Sequence, residues 1–160
     1  MRRSACLSLI ALGTCLAAAV PAQAQAQETP PLGGPYTVLS ENNESLLFLA
    51  NGSFRRSGDI AYATSLIAIT AERMATTGNI SHMAMATEVN CANNTTRITY
   101  GTGFYADGTV AGNTPGQEEW GPVDPTSPAG EIRDIACNGA APRGRVLGND
   151  PTAIANAFRR

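Results

Sequence analysis

Ile80-Ser81-His82-Met83-Ala84-Met85-Ala86-Thr87-Glu88-Val89-Asn90-Cys91 and Thr95-Thr96-Arg97-Ile98-Thr99-Tyr100-Gly101-Thr102-Gly103-Phe104 are two alternating runs joined by Ala92-Asn93-Asn94. Successive side chains of a strand point to opposite faces, so alternation of this kind is the signature of a sheet with two unlike sides. Met83, Met85, Thr87, Val89 and Cys91 share one face, which reads as the core face; His82, Ala84, Ala86, Glu88 and Asn90 share the other. In the second run Ile98, Tyr100, Thr102 and Phe104 point inward. Two such runs across a short Asn-rich connection predict a β-hairpin. Met83, Met85, Tyr100 and Phe104 accordingly read as core rather than as a pocket for an apolar ligand.

Working outward, Asp107-Gly108 supplies a turn that brings Thr109 to Ala111 back as a short strand, and Asn113 to Trp120 reads as loop. Upstream, Tyr36 to Leu39 and Ser45 to Ala50 are apolar runs separated by Glu41-Asn42-Asn43-Glu44, and Ile60 to Thr70 is a long uncharged run rich in β-branched residues. Antiparallel strands in sequence order make a meander, with one packed and one wet face expected. Downstream, Ser127-Pro128 followed by Glu131 has the chemistry of a helix start. A hydroxyl caps the free N–H groups, Pro suits the first position, and a carboxylate complements the positive helix end. Asn138-Gly139 is the matching stop. The fold class expected is therefore α+β: an antiparallel meander packed against a C-terminal α-helix.

Met1-Arg2-Arg3, the apolar stretch from Ala5 to Val20 and the small-residue exit around Ala24 and Ala26 are the three parts of a secretory signal peptide. Residues 1–26 are expected to be cleaved, residues 27–35 to form a flexible Pro/Gly-rich lead-in, and 139–160 a loosely ordered tail. No transmembrane span is expected, because the one long apolar stretch is shorter than a bilayer requires and is interrupted by Ser8, Gly13 and Thr14. The destination is the periplasm or the cell surface.

Once the signal peptide is removed, two of the chain's four cysteines remain, Cys91 and Cys137. An oxidising compartment favours their disulfide, which would clamp the helix end to a sheet strand. A redox or metal-binding pair is the other reading, but no C-x-x-C and no cluster of His and Cys supports it. The exported chain keeps nine of the 11 basic residues, all Arg, against 13 acidic ones. That balance lacks the basic stripe through which proteins displace counterions from nucleic acid.

Several features resemble the bacterial surface-adhesin protein E family. Glu88-Val89-Asn90-Cys91 ends one strand, and Phe104-Tyr105-Ala106-Asp107-Gly108 ends the next in a turn. Trp120-x-x-Val123-x-Pro125-x-Ser127-x-x-x-Glu131 then runs into Cys137, and Phe54-Arg55-Arg56-Ser57-Gly58-Asp59 precedes a long strand. The resemblance spans residues 36–138 and implies an exported antiparallel sheet with helix. It also implies binding to host extracellular-matrix proteins, as for the family's adhesins.

Chemistry for catalysis is sparse. His82 is the single His, no G-x-S-x-G elbow is present, and Gly101-x-Gly103 sits on a strand rather than at a helix start. No cofactor and no catalytic residue are assigned. Arg55, Arg56 and Arg97 form a candidate binding patch, since guanidinium groups pair bidentately with carboxylates and other anions. The leading expectation is a non-enzymatic exported domain that binds an extracellular-matrix or envelope protein. The alternative is a small periplasmic enzyme or ligand carrier with its pocket between sheet and helix.

Overall fold

The computed structural model describes residues 30–159. The expected signal peptide, 1–26, and the first residues of the lead-in lie outside the described residues. The strands are β1 (Tyr36–Glu41), β2 (Ser45–Ala50), β3 (Arg55–Ser57), β4 (Ile60–Ile69), β5 (His82–Asn90), β6 (Thr95–Phe104), β7 (Val110–Pro115) and β8 (Gly121–Pro122). Helices are α1 (Ala71–Thr76), α2 (Pro128–Asn138) and α3 (Pro151–Phe158). All strand pairs are antiparallel, in the order β1-β2-β4-β5-β6-β7. The short strand β3 pairs with β4 beyond the end of β2, and β8 with β6 beyond the end of β7. The expected meander is present, and β7 extends into the stretch expected to be loop.

Register fixes which residues share a face. Ala61, Ala63, Ser65 and Ile67 of β4 lie opposite Val89, Thr87, Met85 and Met83 of β5. Tyr62, Thr64, Leu66 and Ala68 lie opposite Glu88, Ala86, Ala84 and His82 on the other side. The hairpin β5–β6 carries a bulge, with Ala86 opposite Tyr100 but Thr87 opposite Ile98, so Thr99 is the extra residue. A bulge resets the alternation of the strand that contains it. Arg97 therefore falls on the same face as Tyr100 and Phe104 rather than opposite them.

One helix packs on each face. The α2 helix lies over Leu49, Ala61, Ala63 and Val89 through Ile132, with Leu39, Phe54 and Ile135 at the margins. Its start and stop follow the sequence: the Ser127 hydroxyl accepts a hydrogen bond from the Gly130 N–H at 3.2 Å, and Gly139 closes the helix at φ 69°. Helix α3 lies on the opposite face, where Ile154 and Ala155 join Tyr36, Phe48, Leu66, Ala84 and Phe104 in a second buried cluster. Asp150 caps α3, accepting from the Thr152 and Ala153 N–H groups at 2.9 and 3.2 Å.

Three expectations are corrected by this second helix. The sheet has no fully wet face, and its two faces are covered at opposite ends. His82 and Ala84, read as solvent-facing, are 1% and 0% exposed beneath α3, whereas Met83 and Met85 are only half-buried because α2 stops short of them. The stretch 139–160, read as a loose tail, also lies along the outer edge of β1. The Val38 N–H donates to the Arg145 carbonyl and the Leu147 N–H to that of Tyr36, and Val146 bridges to Thr37. The end of the lead-in is fixed in the same way: the Gly52 N–H donates to Gly33 O at 2.9 Å, and Pro30 is buried.

Gly130 shows how tightly α2 enters. A Cβ there would stand 2.5 Å from the carbonyl oxygens of both Asp124 and Pro125. Gly130→Ala is expected to lower stability by about 1–3 kcal/mol through overpacking, measured as a shift in the urea midpoint with the slope unchanged.

Candidate functional site

The Cys91–Cys137 disulfide is formed, with Cα atoms 5.6 Å apart, and joins the residue following β5 to the last turn of α2. It packs against the α2-side core. The Cys91 N–H donates to Asp59 O at 2.8 Å, tying this point also to the turn before β4. The bridge closes a structural corner, where the Arg56 guanidinium also donates to the Cys137 carbonyl at 3.1 Å.

The three candidate arginines divide between the faces. Arg55 pairs with Tyr62, Tyr62 with Glu88, and Glu88 with Arg97, so these four residues form one row across β3, β4, β5 and β6. With strands about 4.8 Å apart the row is about 14 Å long. Arg55 lies over the Tyr62 ring at 5.8 Å. Arg97 is held from three sides. Its Nε and NH2 groups contact Glu88 Oε2 at 2.8 Å, NH1 donates to Glu118 O at 3.1 Å, and the guanidinium stacks 4.7 Å from the Trp120 ring. Arg56 points to the other face, where it donates to the carbonyls of Gly58 and Cys137 at 3.0 and 3.1 Å. Sequence reasoning grouped Arg55, Arg56 and Arg97 in one patch, of which Arg56 lies on the other face, and missed Tyr62, Glu88 and Trp120. Their signal was present in the register once the bulge at Thr99 is known.

This row lies on the α3 face, on the half that α3 leaves uncovered. Tyr62, Glu88, Arg97 and Trp120 are half-buried and Arg55 is exposed. The opposite face, on the half that α2 leaves uncovered, has a different texture. A groove of about 390 Å³ lies between sheet and α2, with Leu47, Met85, Ile98, Pro128, Ala129 and Ile132 as its main apolar walls. A smaller groove of about 220 Å³ shares Met85 and Ile98 with it and runs to Thr114 and Pro115 at the β7 edge. The single ionisable residue lining either groove is Arg97, which the register turns toward the opposite face, where its guanidinium is committed to Glu88 and Glu118 O. A cavity does exist where the alternative reading placed one, but its walls carry no acid–base pair.

His82 is taken up by the core. It stacks on Phe104 with ring centroids 5.0 Å apart and 10° between planes, and Nδ1 lies 3.1 Å from the Ser81 hydroxyl. Desolvation beneath α3, with the Arg159 charge adding to it and Asp150 opposing it, lowers its pKa to about 4. At neutral pH it is an uncharged imidazole closed off by a helix. No set of three or more His, Cys, Asp or Glu residues able to hold a metal occurs among the described residues.

A disulfide-stapled antiparallel sheet with one helix on each face, presenting a charged aromatic row on one side and an apolar groove on the other, is an α+β domain that offers surfaces to partners. No described helix is long and apolar enough to cross a membrane. The chain belongs to the surface-adhesin protein E family, whose profile matches residues 36–138. Its fold is similar to that of protein E from Haemophilus influenzae in crystal form II, with a TM-score of 0.51 and 13% identity, covering 70% of this chain and 95% of that one. No curated protein matches the chain. Membership carries with it an exported, cell-surface setting. The matched span ends before residue 139, so α3 and the 145–148 segment that covers the edge of β1 lie beyond it.

Proposed function

We propose that this protein is an exported, non-enzymatic, adhesin-like domain that binds a protein ligand, and that the Arg55–Tyr62–Glu88–Arg97–Trp120 row is where it does so. The observation that carries this reading is the row itself. Arg, Tyr and Trp are the side chains that dominate binding energy at protein interfaces, and here they stand side by side on a flat, uncovered half-face. The sheet holds them rigidly, so little side-chain freedom is lost on contact. Arg97 is oriented in advance by Glu88, and Arg55 remains free to meet a carboxylate on the ligand. A matrix or envelope protein with an acidic, aromatic-bearing surface suits the row. Arg56 contributes to the fold of the β3–β4 turn rather than to the surface.

The test uses immobilised matrix proteins and envelope extract against the purified exported chain. Substituting Arg55, Arg56 and Arg97 together with Ala is expected to weaken binding at least tenfold, and Arg56→Ala alone to leave it unchanged. A tenfold loss corresponds to about 1.4 kcal/mol, within what truncation of an interface Arg costs. Unchanged affinity for every partner in the triple variant would remove the row from consideration. The groove beside α2 favours a second reading, carriage of a small apolar ligand, which competition by the ligand without effect of the arginine changes would reveal.

A further inference from the structure

We infer that the outer edge of β7 is a docking site for an extended peptide segment of a partner, added to the sheet as a further antiparallel strand, with basic residues at its N-terminal end and apolar residues at alternate positions after them. This site lies on the sheet edge rather than on the arginine row, and touches the row only where Arg97 holds the Glu118 carbonyl at 3.1 Å.

The two edges of the sheet are treated differently. At β1 the chain supplies its own cover, with residues 145–148 exchanging backbone hydrogen bonds with Tyr36 and Val38. At the other end β7 terminates the strand order, and no described strand pairs with its outer side. An uncovered edge presents unpaired N–H and C=O groups, and proteins usually blunt it with charged side chains, above all Lys. Val110-Ala111-Gly112-Asn113-Thr114-Pro115 contains no charge at all, and Val110 is 52% exposed. Only Pro115, at the last position, is of the kind that discourages pairing. Main-chain demand of this sort selects a polypeptide over any other ligand class.

The neighbouring surface says which polypeptide. On the α2 side of the sheet Thr114 lies beside Gly101 and Gly112 beside Gly103, next to Met85 and Met83. A side chain at Gly112 would meet nothing within 4 Å, so the face is open there. The groove of about 220 Å³ beside Thr114 and Pro115, floored by Met83, Met85 and Ile98, can take an apolar side chain from an added strand. Met side chains adapt to varied shapes. Past Pro115 the chain continues into Glu118 and Glu119, both exposed and carrying no ion pair among the described residues. An antiparallel strand on β7 has its N-terminal end at Pro115, so a cation there meets these carboxylates. Augmentation gives affinity through the backbone, and the groove and the two carboxylates give selection.

The experiment titrates a fluorescent octapeptide, two Arg followed by alternating Val and Ser, into the purified exported chain, with anisotropy for affinity and amide chemical shifts for location. Binding with shifts centred on residues 110–119 is expected. Methylating alternate backbone nitrogens of the peptide should weaken it at least tenfold, and so should Thr114→Lys together with Glu118→Gln and Glu119→Gln. The surface positions of these three residues leave the fold intact, which the dispersed amide spectrum checks. The Arg55→Ala and Arg56→Ala substitutions, neither of which touches the 110–119 segment, should leave peptide affinity within twofold. The inference is overturned if no peptide shift appears at β7, if N-methylation has no effect, or if the edge proves to be occupied by a second copy of the chain at the concentrations used.

Discussion

Replacing Cys91 and Cys137 with Ser, or reducing the bridge, is expected to cost about 4 kcal/mol of stability. The bridge closes a segment with a sequence separation of 46 residues, and the chain-entropy relation for a loop of that length gives about 4 kcal/mol. A domain of this size has about 5–15 kcal/mol in total, so the loss is a large share. It should be local at first. The staple sits where α2, β5 and the turn at Asp59 meet, and α2 is only 11 residues long, too short to persist undocked. Hydrogen exchange on the reduced protein should therefore show residues 128–138 opening before β4 and β5. Trp120 fluorescence during urea unfolding gives the global value, and a double variant as stable as the parent protein would contradict the account.

Acidification from pH 7 to pH 4 should cost about 3 kcal/mol through His82 alone. Its folded pKa, about 4, lies below the value of about 6.5 expected in the unfolded chain. Between those limits the unfolded chain takes up a proton that the folded one refuses. The stabilisation is thus complete above pH 6.5, declines as pH falls, and levels off below pH 4. Asp107 and Asp124, whose carboxylates are held below the usual range by hydrogen bonds from Thr109 and Thr126, lose their contribution only at lower pH. The window from pH 6.5 to 5 therefore isolates His82, with about 2 kcal/mol across it. His82→Phe, which keeps a ring against Phe104, should flatten the urea midpoint over that window. Parallel curves for the two proteins would assign the slope elsewhere.

Period-2 alternation made the hairpin of β5 and β6 legible because it depends only on neighbouring residues, and the caps of α2 were legible for the same reason. What escaped was long-range. Nothing local to Ile80–Cys91 shows that a helix 70 residues later covers His82 and Ala84, so the sheet was expected to have one wet face. The helix α3 was itself faint, one short apolar stretch after Asp150-Pro151. The half-burial of Met83 and Met85 follows from the length of α2, which the sequence also contains but cannot place. At the candidate site the arginines were visible as residue types. Arg55 and Arg56 separate by alternation alone, but placing Arg97 on the face of Arg55 required the Thr99 bulge, an extra residue with no distinctive side chain.

Because α2 and α3 cover opposite faces at opposite ends, the two bare half-faces lie diagonally across a single layer of sheet. That layer acts as a partition. An object resting on the charged side is kept off the greasy side by the sheet itself, and the two sides meet only at Arg97 and the 117–121 segment it holds. The domain is in effect a two-sided plate, with Arg97 and the segment it holds as the one seam between its sides.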